Sequence, residues 1–238
     1  MLRVIILLFV STFTFALSPE KIDGFSGNFD LGLNFTKNTD NTLQFNNIFL
    51  IKYKVNTVYW ITASNNMNLI SKTGENDLIN KGAQELKYSL VDKGWDLAFN
   101  IGHLYDISKN IKNRYSTSLG FSYNISKIKN DKLAFGLYFQ KEKELTIDEK
   151  ITLQNRLNAN FDISKRIAEN IEINLSNGYF PNFEKFGDFR LKSTLNLKIK
   201  LNTKFSLSIN SVFNYDSFPE EGITETDYQL TNSISYTF

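Results

Sequence analysis

The feature that most constrains this chain is an alternation of apolar and polar residues that recurs from residue 24 to the C terminus. In the stretch 24–37 the odd positions carry Phe25, Phe29, Leu31, Leu33 and Phe35, whereas the even positions carry serine, asparagine, aspartate, glycine and threonine. Because successive side chains of a β-strand point to opposite faces, such a stretch predicts a strand with one apolar and one polar face. The pattern recurs about every 18 residues and predicts about twelve strands.

The length of the alternating stretches indicates which environment the apolar face meets. The clearest stretches run for about 9–14 residues, longer than the 5–6 residues of a typical soluble strand. Aromatic residues stand near the ends of the stretches, as in the aromatic girdles of membrane barrels: Tyr53, Trp60, Trp95, Tyr105, Tyr123, Tyr179, Tyr215 and Tyr236. We therefore predict an all-β, transmembrane, antiparallel up-and-down barrel with both termini periplasmic. A soluble β-sandwich or a lipocalin-like barrel is the alternative.

Some stretches leave the assignment open. In Val58–Leu69, Tyr59 and Ile61 compete with Val58 and Trp60 for the apolar face, so the phase of this strand is not assigned. Charged stretches are interpreted as connections, including an outer loop at Lys141–Glu149 and an inner turn at Asp162–Asn170.

The N terminus has the features of an export signal. Arg3 precedes the apolar run Val4–Val10, and small and hydroxyl residues follow up to Ala16. This order is typical of a secretory signal peptide, and the apolar run is too short for a membrane-spanning helix. We expect residues 1–16 to be the signal and residues 17–238 to form one outer-membrane barrel domain, which predicts the outer membrane of a bacterial cell as its location.

Composition excludes several kinds of chemistry. The chain has no cysteine, a single histidine and a formal net charge of +2. Without cysteine there are no disulfides, thiolate metal sites or cysteine nucleophiles. The balanced charge argues against a nucleic-acid partner. We expect no metal, no cofactor and no catalytic residue, and the oligomeric state stays open.

The C terminus resembles the closing strand of bacterial outer-membrane proteins. Ile234, Tyr236 and Phe238 alternate with polar residues up to the last position. In those proteins a terminal aromatic residue is part of the signal that the barrel-assembly machinery recognises. The resemblance implies this machinery as a partner, together with outer-membrane lipid and lipopolysaccharide.

The polar faces of the strands carry charges of both signs. Parity assigns ten charged residues to the lumen: Asp30, Lys52, Glu85, Lys87, Arg114, Arg156, Glu172, Asp188, Arg190 and Lys198. Such residues could line a passage for small polar solutes, or they could pair with one another and fill the interior. A twelve-stranded barrel lies between side-chain-filled and open barrels, so both readings stay open.

Enzymatic alternatives depend on few residues. A lipid-acting barrel enzyme would need His103 as the base that deprotonates a serine, and parity places His103 on the outer face near the rim. Four acidic residues in the last outer loop could instead serve a protease or contact a cation or lipopolysaccharide: Asp216, Glu220, Glu221 and Glu225. We expect an ordinary solvated loop there, and a non-enzymatic protein.

Three stretches are similar to an uncharacterised family, the salt-induced outer-membrane proteins with domain of unknown function 481. They are Gly24-Phe25-Ser26-Gly27 followed by Thr39-Asp40-Asn41-Thr42, then Asn80-Lys81-Gly82 through Trp95, and Lys112-Asn113-Arg114-Tyr115 through Phe121. The resemblance covers roughly residues 24–238 and implies an outer-membrane barrel without an assigned activity. We expect a narrow channel for small polar solutes or a component of envelope integrity, with the His103 enzyme as the alternative.

Overall fold

The structure is a computed structural model that describes residues 24–37, 41–55, 58–72, 78–126 and 131–238. The signal segment 1–16 and the N-terminal part of the barrel domain up to residue 23 lie outside these residues. Twelve strands and one 3₁₀ turn, η1, are present: β1 Gly24–Lys37, β2 Asn41–Val55, β3 Tyr59–Lys72, β4 Leu78–Asp92, β5 Trp95–Asp106, η1 Ile107–Lys109, β6 Ile111–Asn124, β7 Lys132–Thr146, β8 Ile151–Ala168, β9 Ile171–Pro181, β10 Phe189–Lys200, β11 Phe205–Asp216 and β12 Thr226–Thr237. No helix in the described residues is long and apolar enough to cross a membrane.

The strands form one closed up-and-down barrel. Each strand pairs antiparallel with its neighbours in sequence, and β12 returns to β1, so the predicted all-β, antiparallel up-and-down barrel is confirmed. The closing ladder pairs residues 28–32 with residues 233–237. It ends in a reciprocal pair of backbone hydrogen bonds, in which Gly27 N donates to Phe238 O over 3.0 Å and Phe238 N donates to Gly27 O over 3.1 Å.

Glycine at position 27 makes room for the C-terminal ring. A Cβ atom at Gly27 would lie 2.6 Å from Cζ of Phe238. The Phe238 ring also stacks on Phe49 of β2 at a centroid distance of 6.4 Å. The last side chain therefore packs across the first two strands on the outside of the seam.

The barrel has two different ends. The termini end carries the start of β1, the end of β12 and five connections between strands, and the loop end carries the other six. Two predicted connections are wrong. β7 continues to Thr146, which shortens the predicted loop Lys141–Glu149, and β8 continues to Ala168, which leaves a two-residue turn instead of Asp162–Asn170. The charged residues there alternate between the two faces, so the ladder continues through them.

The two faces of the wall differ in chemistry. Outward side chains are apolar and exposed, for example Leu119 at 58%, Leu153 at 71% and Leu195 at 46%. Inward side chains are largely polar, and many are covered by their neighbours. The phase of β3 follows from the same difference: Tyr59 and Ile61 are exposed on the outside, so Trp60 points inward.

Bulky inward rings lie flat on the wall over glycines. A Cβ atom at Gly120 would lie 2.7 Å from Cδ1 of Tyr138, and one at Gly136 would lie 2.9 Å from its Cε2. Tyr138 is itself buried. Glycine at these two positions lets the ring rest against the backbone, where it takes less room from the lumen.

Candidate functional site in the barrel lumen

A buried arginine organises the charges at the loop end of the lumen. Arg156 of β8 is 1% exposed. Its Nη2 donates to Asp188 Oδ1 over 2.8 Å and to Gln154 Oε1 over 2.7 Å, and its Nη1 donates to the carbonyl of Phe180 over 2.9 Å. Because Asp188 stands just before β10, these contacts fix the β9–β10 connection against the wall.

Two further arginines extend this group along the wall. Arg190 of β10 donates to Glu142 Oε2 over 2.8 Å and to Asp216 Oδ2 over 2.9 Å. Arg114 of β6 pairs with Glu144, and Arg156 lies 3.5 Å from Glu142. We call these seven residues the arginine cluster: Arg114, Glu142, Glu144, Arg156, Asp188, Arg190 and Asp216. Its three cations and four anions nearly balance.

A second set of ion pairs crosses the lumen. Asp227 of β12 lies 3.0 Å from Lys109 Nζ of η1 and 3.9 Å from Lys81 Nζ of β4. Three other strands separate β12 from β4 along the shorter way around the barrel. The Asp227 bridge therefore joins parts of the wall that are not adjacent, and it narrows the loop end. Nearby, Lys150 and Glu220 connect two loops at 3.3 Å.

The half of the lumen toward the termini end is richer in lysine. Lys87 pairs with Asp96 at 2.7 Å, and Lys132 pairs with Asp162 at 3.0 Å. A cavity of about 190 Å³ lies against the wall between β7 and β10. Its polar lining comes from Lys132, Asp162, Ser164, Asn174, Ser176, Thr194 and Asn196.

The ten residues assigned to the lumen do not form one site. Arg114, Arg156, Asp188 and Arg190 come together in the arginine cluster. The other six lie elsewhere on the inward face: Asp30, which accepts from Asn28 over 3.1 Å; Glu172, at 3.5 Å from Ser164 Oγ; Lys87, paired with Asp96; and Lys52, Glu85 and Lys198.

The sequence analysis missed several partners of these residues. Glu142 and Glu144 were placed in a loop, and Lys81 and Asp227 lay just outside the expected strands. Extending the alternation by a few residues at each strand end would have assigned all four to the lumen. Alternation could not have identified Lys109, because this residue lies in η1, outside the strands, and contacts Asp227 from there.

His103 lies on the outer face in a row of side-chain hydrogen bonds. Its Nδ1 is 2.7 Å from Gln84 Oε1, and its Nε2 is 2.9 Å from Asn113 Oδ1. Gln84 in turn donates to Asn65 over 2.9 Å, and Tyr115 stacks on the imidazole at 4.8 Å. Both ring nitrogens thus contact amides, and no serine hydroxyl is among the contacts that the structure gives this ring.

The acidic residues of the last loop do not converge. Asp216 belongs to the arginine cluster, and Glu220 pairs with Lys150. In the part of the chain that the structure describes, no group of three or more His, Cys, Asp or Glu side chains could hold a metal ion.

A closed antiparallel barrel with an apolar outside and a charged inside is a membrane-spanning β-barrel. Comparison with known families agrees. The chain belongs to the family described as protein of unknown function, DUF481, whose model matches residues 26–238. No curated protein matches the sequence.

Solved structures are similar to this chain at low sequence identity. The NanC porin is 11% identical with a TM-score of 0.50, and the match covers 90% of this chain and 98% of that one. The KdgM porin in complex with disordered oligogalacturonate is 12% identical with a TM-score of 0.47, over 90% and 99%. The translocator domain of the autotransporter NalP from Neisseria meningitidis is 10% identical with a TM-score of 0.47, over 92% and 90%.

Proposed function

We propose that this protein is a narrow channel for small polar solutes in the outer membrane of a bacterium. The observation that carries the proposal is the continuous polar and charged inward face, which runs from the Asp227 bridge at one end to the lysine-rich region at the other. A barrel with a purely structural role could be filled with apolar side chains instead, because buried ion pairs add little net stability compared with apolar packing. The charged interior therefore supports a role in the passage of polar solutes.

The width of the passage follows from the ion pairs at the loop end. The Asp227 bridge joins strands that three other strands separate, and the Lys150–Glu220 pair connects two loops at the same end of the barrel. We infer that the bridge sets the size limit.

Location and orientation are part of the proposal. The exposed apolar outer face requires lipid around the barrel, and closed barrels are the β-structures that satisfy their backbone hydrogen bonds in lipid. The termini end carries short turns, such as the two residues between β8 and β9. We place this end in the periplasm, as in barrels of this architecture generally.

A non-enzymatic role agrees with the contacts of His103. A histidine that activates a serine must hydrogen bond to its hydroxyl. Here the two ring nitrogens contact Gln84 and Asn113, and the nearby Ser116 points to the other face, toward Gly102. We propose that this row satisfies polar groups on the outer face, where unpaired amides would be costly.

Single-channel recording of the refolded protein in planar bilayers tests the proposal. We expect small, discrete conductance steps from the wild-type protein. Asp227→Asn removes the carboxylate that joins Lys81 and Lys109, and should raise the conductance. Glu221→Gln is the matched control, since it removes one negative charge from the exposed last loop and should leave the conductance unchanged.

Two results would contradict the proposal or part of it. A correctly refolded barrel that gives no conductance steps would refute a channel function. Wild-type conductance in Asp227→Asn would show that the bridge is not the narrowest point of the passage.

A further inference from the structure

Two lysines share one tryptophan ring in the half of the lumen toward the termini end. Lys52 Nζ lies 3.7 Å from the centroid of the Trp60 ring, and Lys54 Nζ lies 4.2 Å from it. All three side chains point inward, since Lys52 and Lys54 are neighbours on one face of β2 and Lys54 pairs in register with Trp60. We call this group the Lys–Trp–Lys site.

Neither ammonium group has a directly paired carboxylate in the part of the chain that the structure describes. No acidic side chain of the described residues makes an ion pair with either of them, whereas Lys81, Lys87, Lys109 and Lys132 each have a carboxylate partner within 4.0 Å. An indole face attracts a cation, but it does not cancel the repulsion between two cations on the same ring.

Other strands add to the positive charge. Lys87 of β4 and Lys132 of β7 lie close enough to the Lys52 ammonium to repel it, and Asp96 is the acid that opposes them. Asp96 itself bonds to Lys87 at 2.7 Å. Lysines from three strands therefore meet in this part of the lumen. Because Lys87 and Lys132 each have a carboxylate partner, the excess of positive charge is that of Lys52 and Lys54.

We propose that the Lys–Trp–Lys site binds small anions that carry carboxylate or phosphate groups, and that it concentrates them at this end of the passage. An oxyanion beside the two ammonium groups would offset their positive charge and accept charge-assisted hydrogen bonds. Nε1 of Trp60 is a buried donor that has no hydrogen-bond partner among the described residues, so the same region has an unused hydrogen-bond donor. This inference deepens the proposed channel function, because it names the class of solute.

Tryptophan fluorescence can test the site without any measurement of conductance. The chain has two tryptophans, and Trp95 is exposed on the outer face. In a Trp95→Phe background Trp60 is the sole tryptophan. We expect iodide, an anionic quencher, to quench Trp60 in the refolded protein in detergent micelles, and we expect inorganic phosphate to protect it.

The decisive variant is Lys52→Gln with Lys54→Gln in the same background. One charge at about 8 Å in water changes the local concentration of a monovalent anion about 2.4-fold, so the loss of two should lower the Stern–Volmer constant for iodide about sixfold at low salt. The constant for neutral acrylamide should change little. The matched control is Lys141→Gln with Lys143→Gln, which changes two exposed lysines on the outer face of β7. Its Stern–Volmer constant for iodide should equal that of the parent.

The outcomes separate this inference from the channel function. The anion site would be overturned if the Stern–Volmer constant for iodide stayed at the parent value in Lys52→Gln/Lys54→Gln. It would also be overturned if this constant fell equally in the control variant. The single variants Lys52→Gln and Lys54→Gln, each expected to give part of the fall, serve the same test if the double variant does not refold. Quenching as expected together with absent conductance would support the site and refute the channel.

Discussion

Removal of the Arg156 guanidinium should destabilise the barrel more than removal of any exposed cation. Arg156→Met keeps an unbranched apolar stem and deletes the guanidinium group with its charge. The change leaves Asp188, which is 4% exposed, with Asn182 as its remaining side-chain partner at 3.1 Å, and leaves the carbonyl of Phe180 without this donor. Breaking a buried ion pair from one side costs about 3–5 kcal/mol.

A second substitution separates the loss of the Arg156 contacts from the cost of leaving Asp188 as a buried charge without its cation. Arg156→Met combined with Asp188→Asn removes both buried charges, and it should recover about 2 kcal/mol of the loss, since a buried pair replaced as a whole is close to neutral. Glu142 keeps Arg190 as its partner at 2.8 Å in both variants.

The assay is reversible urea unfolding of the protein in lipid vesicles, followed by tryptophan fluorescence. Lys112→Met is the control, because Lys112 and Glu149 form an exposed pair at 3.5 Å that should contribute less than about 1 kcal/mol. The reasoning fails if Arg156→Met costs no more than Lys112→Met, or if the double variant is as unstable as Arg156→Met alone.

Three further predictions concern the faces, the seam and the N terminus. Leu195→Arg should cost about 2–4 kcal/mol in the same assay and Asn196→Arg should cost less than about 1 kcal/mol, because the first faces lipid and the second the lumen; equal costs would contradict the assignment of faces. Deletion of Phe238, whose ring covers Gly27, should reduce the heat-modifiable barrel in outer-membrane fractions, and normal amounts would argue against a role in assembly. N-terminal sequencing of the exported protein should begin within a few residues of Leu17, and a chain that retains Met1 would refute the signal peptide.

The architecture was predictable because one physical rule repeats along the whole chain. Because lipid lies outside and the lumen is polar, apolar and polar residues must alternate on every strand, so each strand can be recognised by the same pattern. β1 is predicted with its observed bounds, Gly24–Lys37. Predictions were wrong at charged strand ends such as that of β7. These charged residues were predicted to form a loop, but lysines on the outer face alternate there with glutamates on the inner face, so the strand continues.

The site was predictable only in part. Parity identifies which face a charged residue occupies, and four of the ten assigned residues lie in the arginine cluster. Parity does not reveal which strands face each other across the lumen, so the Asp227 bridge from β12 to β4 could not be predicted. The phase of β3 also needed the structure, since Trp60 is a large aromatic side chain on the polar face, where two lysines of β2 cover it.

Cysteine labelling at two adjacent positions of β10 tests the central claim, an aqueous lumen inside a lipid-facing wall, most directly. The chain has no cysteine, so each introduced thiol is unique. In vesicles, Asn196→Cys should react with a small, charged methanethiosulfonate reagent, and Leu195→Cys should react only with a lipid-soluble maleimide. Failure of the charged reagent to reach position 196, or equal reaction at both positions, would contradict a water-filled barrel.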